Sequence, residues 1–516
     1  MLQIQNLTIK HKKDLRTILE NFTFTLNPTD KAVLIGEEGN GKSTLLRWIY
    51  QPEVLESYAE VSGQRILSGE KLGYLPQELP HEEKEKSVYD YFCGCESFFD
   101  LSPRELGQLA ARLHLPSDFF YGDQTMGSLS GGEKVKTQLA RILMEQPTIL
   151  LLDEPSNDLD LDTLRWLEGF IRDCSQPVLF ISHDEILISH CANVVIHLEQ
   201  IRRKTVSRYT ISRTTYEDYI SHRSAVFENQ ERGALSDKRQ EKIREEKFRK
   251  IYQQVEQAQA NVSRQDPHTG QLLKKKMKAV KSLEKRYERE SENMRQLPEE
   301  EEAIFLRFGQ ELSIPSGKIM IDYSLEELKT KDGERTLARN IHLLVKGQQK
   351  VCIIGRNGCG KTTLLRKIAD ELLQRKDIKA AYMPQNYEDL LELDKTPVDF
   401  LAPSGHKDDR TRARTYLGSM KYTPQEMEHP IRELSGGQKA KVLLLKMSFS
   451  GADVLILDEP TRNFSPLSSP VIRNVLKDYG GVILSISHDR KYIAEVCDHI
   501  YRLTEQGLAK VEDWEA

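Results

Sequence analysis

The residues most able to do chemistry form a glycine-rich loop that ends in lysine and a hydroxyl residue, and the loop occurs twice. The first copy spans 36–44 (GEEGNGKST) and the second spans 355–363 (GRNGCGKTT). Glycines let a backbone curl closely around a polyphosphate, the lysine reaches the outer phosphates, and the hydroxyl suits Mg²⁺. The predicted ligand-binding residues are Gly36, Gly39, Gly41, Lys42, Ser43 and Thr44 in the first loop and Gly355, Gly358, Gly360, Lys361, Thr362 and Thr363 in the second.

The elements around each loop fit this chemistry. Apolar runs at 32–35 and 351–354 precede the loops and predict strands, and helices are expected to open at Thr44 and Thr363. A helix N-terminus presents free backbone N–H groups and a partial positive charge, so it favours a bound anion. Two loops in the same context indicate two polyphosphate sites.

Four further motifs follow each loop in the same order. They are a Pro-Gln pair, Leu-Ser-Gly-Gly, Asp-Glu-Pro after an apolar run, and Ser-His-Asp. In the first half they lie at 76–77, 129–132, 153–155 and 182–184, and in the second at 384–385, 434–437, 458–460 and 487–489. A repeat of roughly 300 residues indicates a duplicated domain rather than a short structural repeat.

In these motifs the chain resembles the ATP-binding cassette (ABC) superfamily over 1–200 and 315–516. The resemblance implies an α/β fold with two ABC-type P-loop ATPase cassettes, and hydrolysis of ATP with Mg²⁺. Asp153 and Asp458 end apolar runs that are typical of buried parallel strands, which would deliver a carboxylate to the metal. The metal ligands are therefore predicted to be Ser43, Gln77, Asp153, Thr362, Gln385 and Asp458.

Further roles follow from the same resemblance. Glu154 and Glu459 would orient or deprotonate the attacking water, and His183 and His488 would contact the γ-phosphate. The signature residues are Ser130, Gly131 and Gly132 in one cassette and Ser435, Gly436 and Gly437 in the other. Each signature is expected to face the nucleotide of the opposite cassette, so one ATP would lie between Lys42 and Ser435 and the other between Lys361 and Ser130. His11 and Tyr323 are candidates for stacking on adenine.

Composition favours a cytoplasmic protein without a membrane domain. Charged residues make up 30% of 516 residues, and no apolar run approaches the roughly 18 residues that span a bilayer. The seven cysteines are odd in number and scattered, which favours reduced thiols. The length suggests three or four domains.

A basic, helical segment separates the cassettes. Residues 201–300 hold 24 Lys/Arg and 16 Asp/Glu, so the segment carries +8 in a chain of net charge −5. Apolar residues recur at helical spacing over about 213–259 and 272–297. We predict a long α-helical hairpin with its tip near 258–274. The predicted domains are a first cassette at 1–205, the basic linker at 206–305 and a second cassette at 306–516.

Twin cassettes joined by a charged helical linker resemble the ABC-F proteins, which bind ribosomes. The resemblance implies a monomer whose cassettes pair within the chain, and a partner that is the 70S ribosome rather than DNA. The linker would enter the E site between the P-site tRNA and 23S rRNA, near the peptidyl-transferase centre. The candidate RNA contacts are Arg264, Gln265, His268, Lys274, Lys275 and Lys276.

Two departures resemble the antibiotic-resistance branch of that family. The Gln-to-signature distances are nearly equal, 53 residues from Gln77 and 50 from Gln385, which leaves no room for the extra arm of some housekeeping members. The segment after Asp-Glu-Pro is SNDLD in the first cassette and TRNFSP in the second. These features favour protection of ribosomes from lincosamides, pleuromutilins and streptogramin A, with ATP closing the cassettes and hydrolysis releasing the protein.

Three alternatives remain open. A housekeeping translation factor of the same family has the same motifs. The twin-cassette ATPase of a sugar importer would not need a basic hairpin, and a DNA-repair ATPase would want zinc-binding cysteine pairs or far longer coiled coils.

Overall fold

The computed structural model describes residues 1–13, 15–201, 205–260, 267–292, 314–330, 333–512 and 514. They fall into two compact units, one formed by Met1–Tyr216 with Glu301–Ala516 and the other by Glu217–Glu300. The first unit contains both cassettes, and the second contains the helical insert. The predicted α/β fold with two cassettes and a long helical insert is confirmed.

The core of each cassette is a six-stranded, mostly parallel sheet. From one edge to the other, the strands of the first sheet are β5 (Leu72–Leu75), β6 (Ile149–Asp153), β7 (Val178–Ile181), β3 (Lys31–Ile35), β8 (Val194–Gln200) and β9 (Val206–Ser212). Those of the second sheet are β13 (Ala380–Met383), β14 (Val454–Asp458), β15 (Val482–Ile486), β12 (Lys350–Ile354), β16 (His499–Thr504) and β17 (Gly507–Val511), so the topology is the same. The last strand of each sheet is antiparallel. The apolar runs that end at Asp153 and Asp458 form fully buried parallel strands in the interior of the two sheets. Such strands are covered on both faces, which explains why they lack alternating polar residues.

Antiparallel strands form a second layer, with the order β2-β1-β4 in the first cassette and β10-β11 in the second. The strands of the first cassette are β1 Leu2–His11, β2 Thr17–Leu26, β3 Lys31–Ile35, β4 Ala59–Leu67, β5 Leu72–Leu75, β6 Ile149–Asp153, β7 Val178–Ile181, β8 Val194–Gln200 and β9 Val206–Ser212. Those of the second are β10 Ile319–Lys329, β11 Thr336–Lys346, β12 Lys350–Ile354, β13 Ala380–Met383, β14 Val454–Asp458, β15 Val482–Ile486, β16 His499–Thr504 and β17 Gly507–Val511.

Helices flank the sheets and carry several of the motifs. In the first cassette they span Lys42–Tyr50, Pro52–Leu55, His81–Lys84, Val88–Cys93, Glu96–Asp100, Pro103–Arg112, Gly131–Met144, Leu161–Asp173 and Glu185–Cys191, with 3₁₀ turns at Phe119–Tyr121 and Met126–Ser128. In the second they span Lys361–Gln374, Pro397–Leu401, Lys407–Ser419, Pro424–Glu428, Gly436–Ser450, Ser469–Lys477 and Arg490–Val496, with 3₁₀ turns at Tyr387–Asp389 and Ile431–Glu433.

The structure shifts two predicted boundaries. Strand β9 pairs with β8 and completes the first sheet, so seven residues of that sheet lie beyond the boundary predicted at 205. The helices after the phosphate loops begin at Lys42 and Lys361, two residues before the predicted Thr44 and Thr363. The boundary predicted at 305/306 lies outside the described residues.

The two cassettes meet along a surface that we call the seam. A set of buried or half-buried ion pairs crosses it, with every acid in the first cassette and every base in the second. The pairs are Glu168–Arg490 at 2.9 Å, Asp184–Arg490 at 3.4 Å, Glu185–Arg473 at 2.5 Å and Glu185–Lys491 at 3.0 Å. We call these six residues the ion cluster.

The insert contains two helices, Tyr216–Ala260 and Pro267–Glu292, near the two predicted ranges. At about 1.5 Å per residue they are roughly 68 and 39 Å long. Their apolar faces meet, because the rings of Phe248 and Tyr287 lie 6.5 Å apart and Val280 is buried. No described helix is apolar over a length that would let it cross a membrane.

Candidate functional site

Each phosphate-binding loop curls around its own lysine. Lys42 Nζ donates to Gly36 O at 2.7 Å and Glu37 O at 2.9 Å, and Lys361 Nζ makes the equivalent bonds to Gly355 O at 2.7 Å and Arg356 O at 3.0 Å. Gly41 has φ 86°, a left-handed conformation that glycine adopts without strain. A side chain there would also overlap Ile18. The two loops therefore have matching geometry.

The predicted metal ligands next to each lysine contact one another. Ser43 Oγ donates to Asp153 Oδ1 at 2.9 Å, and Thr362 bonds to Asp458. Burial raises the pKa of Asp153 to about 6 and also raises that of Asp458. Asp458 Oδ2 is buried without a hydrogen-bond partner in the described part of the chain.

These pairs fit Mg²⁺. A buried carboxylate beside a hydroxyl needs a cation to balance it, and Mg²⁺ binds through one or two carboxylates together with substrate phosphates. Among the described residues, no cluster of three or more His, Cys, Asp or Glu forms a separate metal site. The predicted ligands Gln77 and Gln385 both line the cavity described below.

Glu154, the first of the two glutamates predicted to orient water, is held by three neighbours. Gln77 Nε2 and Asn157 Nδ2 donate to Glu154 Oε2 at 3.0 and 2.5 Å, and His183 Nε2 lies 3.3 Å from Glu154 Oε1. Burial would raise the pKa of Glu154, but His183, then Lys42 and Asn157, outweigh it and lower the pKa to about 2. Glu154 is therefore ionised at neutral pH.

Glu459, the second of these predicted glutamates, has a different environment. Burial, and then the neighbouring Asp458, raise the pKa of Glu459 to about 8. Its Oε2 accepts from the His488 backbone N at 3.2 Å, whereas Oε1 is buried without a hydrogen bond within the described residues. Burial, and then Lys361, lower the pKa of His488 to about 3. Both side chains are therefore largely neutral at pH 7.

Both glutamates sit in a strained backbone conformation. Glu154 has φ 50° and Glu459 has φ 54°, in the left-handed region that side chains other than glycine rarely adopt. Such strain persists where the surrounding structure fixes the backbone, and it is common at functional sites. It turns the chain directly after each buried strand.

The signature serines begin helices. Ser130 and Ser435 each form a capping box with the residue three positions later, Glu133 or Gln438. The glycines allow close packing, since a Cβ on Gly131 would lie 2.3 Å from Asp158 O and one on Gly437 would lie 2.7 Å from Asn463 O. The signatures therefore pack against the segments that follow Asp-Glu-Pro.

These segments also connect the cassettes across the seam. Asn357 Nδ2 donates to Asp158 O at 2.5 Å, and the backbone N of Asn357 donates to Asp160 Oδ2 at 3.4 Å. Arg462 forms an ion pair with Asp158 at 2.8 Å. In the other direction, His183 Nδ1 donates to Phe464 O at 2.9 Å. Asp158 and Asp160 therefore both contact the second cassette.

A cavity of about 450 Å³ opens at the seam. Both cassettes line it with predicted site residues. They are Gln77, Glu154 and His183 from the first cassette and Gln385 and Gly436 from the second. The structure therefore places Glu154 of the first cassette and Gly436 of the opposite signature in the lining of one cavity.

Sequence reasoning missed several residues of this region. Glu37, Glu38 and Asn357 occupy variable positions of the phosphate loops, and each contacts the opposite cassette. Asn157, which holds Glu154, was also missed. The acidic residues Glu37 and Glu38 in the first loop were the signal that sequence offered for these contacts. Their partners could not be predicted, because they belong to the opposite cassette.

Among the described residues, the candidates for adenine stacking and for RNA contact do not line this cavity. Tyr323 is buried in the core of the second cassette, and the His11 ring lies 6.4 Å from that of Tyr58. Lys274, Lys275 and Lys276 are exposed on the second helix of the insert. Arg264 and Gln265 lie outside the described residues, as does the side chain of His268.

Comparison with known proteins gives a family match in both cassettes. The family described as ABC transporter matches residues 19–157 and 338–462. Among curated relatives, ABC transporter F family member 5 of Arabidopsis thaliana is 25% identical, over 95% of this chain and 73% of its own length. Ribosome protection protein VmlR of Bacillus subtilis (strain 168) is 27% identical, over 99% of this chain and 88% of its own.

A solved structure shares the fold. It is the archaeal ribosome recycling factor aABCE1 in complex with the ribosomal stalk protein aP1, with a TM-score of 0.58 and 15% identity, covering 98% of this chain and 90% of that chain. At this identity the match supports the twin-cassette architecture and nothing finer.

Proposed function

The chain belongs to the ABC transporter family, and we propose that within it the protein is an ABC-F ATPase that works on the ribosome. Its cassettes use ATP with Mg²⁺ and hydrolyse ATP to ADP and phosphate. The finer proposal is that the ATP-bound, closed protein enters the E site of the 70S ribosome. There it protects the peptidyl-transferase centre from lincosamide, pleuromutilin and streptogramin A antibiotics.

The residues divide the chemistry between them. Lys42 and Lys361 would hold phosphate oxygens, and each hydroxyl–carboxylate pair would hold Mg²⁺, whose positive charge would offset the negative charge of the phosphates. Glu154 is ionised at neutral pH, because its pKa lies well below 7, and its carboxylate can accept a hydrogen bond that orients the attacking water. Glu459 must first lose its own proton, since burial keeps it neutral. The two ATP sites therefore start from different protonation states.

The contacts across the seam carry the proposal. His183 bonds to Phe464, Asn357 bonds to Asp158, and the cavity joins Glu154 to the opposite signature. Nucleotide placed at this seam would contact both cassettes, so binding and hydrolysis would change how the cassettes hold each other. A cassette pair of this kind can time the residence of the protein on a partner.

The insert and the relatives support a ribosomal partner. Lys274, Lys275 and Lys276 form an exposed basic run, which suits phosphate contacts with 23S rRNA or P-site tRNA. VmlR, which is 27% identical over 99% of this chain, is named a ribosome protection protein. The chain is similarly identical to ABC transporter F family member 5, whose name does not specify ribosome protection, so the alternative is a housekeeping translation factor of the ABC-F type.

Trapping the closed state tests the ribosomal role. Glu154→Gln combined with Glu459→Gln removes both water-orienting carboxylates and leaves both phosphate loops intact. We expect ATP binding to persist, hydrolysis to fall by at least about 100-fold, and the protein to sediment with 70S ribosomes when ATP is present. Lys42→Ala with Lys361→Ala is the control, because it should lose ATP binding and ribosome association together. We call the Glu154→Gln, Glu459→Gln double variant the trap variant. If it binds ATP but does not associate with ribosomes, the ribosomal role is contradicted.

Drug susceptibility separates resistance from housekeeping. A strain that lacks the protein should become more sensitive to at least one of the three drug classes, and wild-type protein should restore growth. The trap variant should not restore it, because it cannot be released. Unchanged susceptibility together with slower growth would favour the translation factor.

A further inference from the structure

The two phosphate-binding loops differ in charge at the two positions that follow their first glycine. The first loop has Glu37 and Glu38, and the second has Arg356 and Asn357. The loops otherwise share their key glycines, their lysine and a metal-binding hydroxyl. At these two positions the first loop carries a charge of −2 and the second a charge of +1. The loops therefore differ by three charges next to the predicted phosphate position. Since phosphates are anions, the first loop is the less favourable of the two.

Glu38 contacts the signature of the opposite cassette. The backbone N of Gly437 donates to Glu38 Oε2 at 2.7 Å. Gly437 lies in the first turn of the helix Gly436–Ser450, where free N–H groups and the helix dipole favour an anion. The Glu38 carboxylate therefore uses a backbone donor that the signature is predicted to offer to the terminal phosphate of ATP.

Glu37 fixes the loop in this position. Its carboxylate pairs with Lys441 at 3.2 Å and accepts from Ser468 Oγ at 3.0 Å, both from the second cassette. Burial would raise the pKa of Glu37, but Lys441 and the hydroxyls of Ser465 and Ser468 outweigh it and lower the pKa. Asn357 occupies the position in the second loop that Glu38 occupies in the first. Its contact with the opposite cassette involves no charged group, because its side-chain amide donates to the backbone oxygen of Asp158.

We propose that Glu38 competes with the terminal phosphate of ATP at the site between Lys42 and Ser435, and that this site is the weaker of the two ATP sites. The inference rests on the composite sites proposed above. ATP must displace the carboxylate from Gly437 before its terminal phosphate can take that donor. ADP lacks this phosphate, so Glu38 should lower the affinity for ATP much more than the affinity for ADP.

The test measures binding of fluorescent, non-hydrolysable ATP and of fluorescent ADP, with Mg²⁺, to the full chain. The variants are made in a Lys361→Ala background, which removes the lysine of the second loop. Binding then reports on the first loop, which keeps Lys42. In it, Glu38→Asn introduces the residue of the second loop, and Glu38→Gln removes the charge while keeping the shape. We expect both substitutions to tighten binding of the ATP analogue at least fivefold and to change binding of ADP less than twofold.

The reciprocal substitution is the matched control. Asn357→Glu in a Lys42→Ala background should weaken binding of the ATP analogue at least fivefold, with ADP again changed less than twofold. Unchanged ATP affinity in both Glu38 variants, or equal shifts for ATP and ADP, would overturn the inference. If neither lysine background binds either analogue while the wild-type chain does, the composite sites themselves are assigned wrongly.

Discussion

Glu154 and Glu459 occupy the same motif position, yet their carboxyls have opposite protonation at neutral pH. His183, then Lys42 and Asn157, outweigh burial and keep Glu154 ionised, with a pKa of about 2. Glu459 is buried next to Asp458, and its pKa is about 8. The pKa of a carboxyl follows the balance of burial, charge and hydrogen bonds, so equal sequence does not give equal chemistry.

This difference predicts opposite effects on stability. The lowered pKa of Glu154 contributes stability that is present above about pH 4.5 and lost as pH falls through about 2. The raised pKa of Glu459 contributes stability that is present below about pH 4.5 and lost as pH rises through about 8.

Melting of nucleotide-free protein between pH 5 and 8 checks the prediction. Wild type should lose on the order of 3 kcal/mol more stability over this range than Glu459→Gln, because glutamine has no proton to lose. Glu154→Gln is the matched variant. It should keep the wild-type pH dependence and melt at a lower temperature at every pH in the range. Parallel profiles for wild type and Glu459→Gln would show that Glu459 is ionised throughout.

Sequence alone located both loops and predicted the positions of the metal ligands and of the two water-orienting glutamates, and the structure places each predicted hydroxyl beside its aspartate. Sequence did not predict the protonation of the glutamates, because Asn157 bonds Glu154 through the local turn while Glu459 Oε1 has no hydrogen-bond partner in the described residues. It also missed Glu38, whose partner Gly437 lies 399 residues away. Contacts that depend on two folded cassettes leave no local pattern in either one.

At the scale of elements, periodicity predicted both insert helices but not every residue of their faces. Phe248, Tyr252 and Val255 are half-buried, whereas Ile243 and Ile251 are exposed. Ile243 precedes Phe248 by five residues, which places it about 140° away around the helix. The boundary predicted at 205 excludes β9 from the first cassette. This strand is only partly buried, so its apolar pattern in the sequence is weak.

The basic run on the second insert helix gives a prediction at this scale. Replacing Lys274, Lys275 and Lys276 together by alanine should leave ATPase activity within about twofold, since the cassettes are untouched. Ribosome association of the trap variant should weaken at least tenfold and depend less steeply on salt, because phosphate contacts release counterions. Sedimentation across a salt series measures both effects.

The matched control removes the same charge elsewhere. Lys242, Lys247 and Lys250 are exposed on the first insert helix, and replacing them by alanine should weaken association less than threefold. Equal losses in the two triple variants would mean that net charge, rather than the run at 274–276, attracts the ribosome.

For the whole molecule, the ion cluster should determine how firmly the cassettes hold each other. Arg490 is 3% exposed, and its partner Glu168 is 12% exposed. Arg490→Met leaves Glu168 and Asp184 short of their shared cation, which should cost about 3 kcal/mol of unfolding free energy. Adding Glu168→Met to it should recover part of the loss, since the apolar pair needs no compensation and only Asp184 still lacks Arg490. Urea denaturation of the two single variants and the double variant completes the cycle, and additive losses would show that the pair is not coupled.

The same cluster also decides which halves can assemble. A pair made of two first cassettes would place Glu168, Asp184 and Glu185 opposite copies of themselves, and a pair made of two second cassettes would oppose Arg473, Arg490 and Lys491. Either homodimer would bury like charges, whereas the mixed pair satisfies all six. The duplicated halves are therefore self-sorting, and this stoichiometry would hold even if they were made as separate polypeptides.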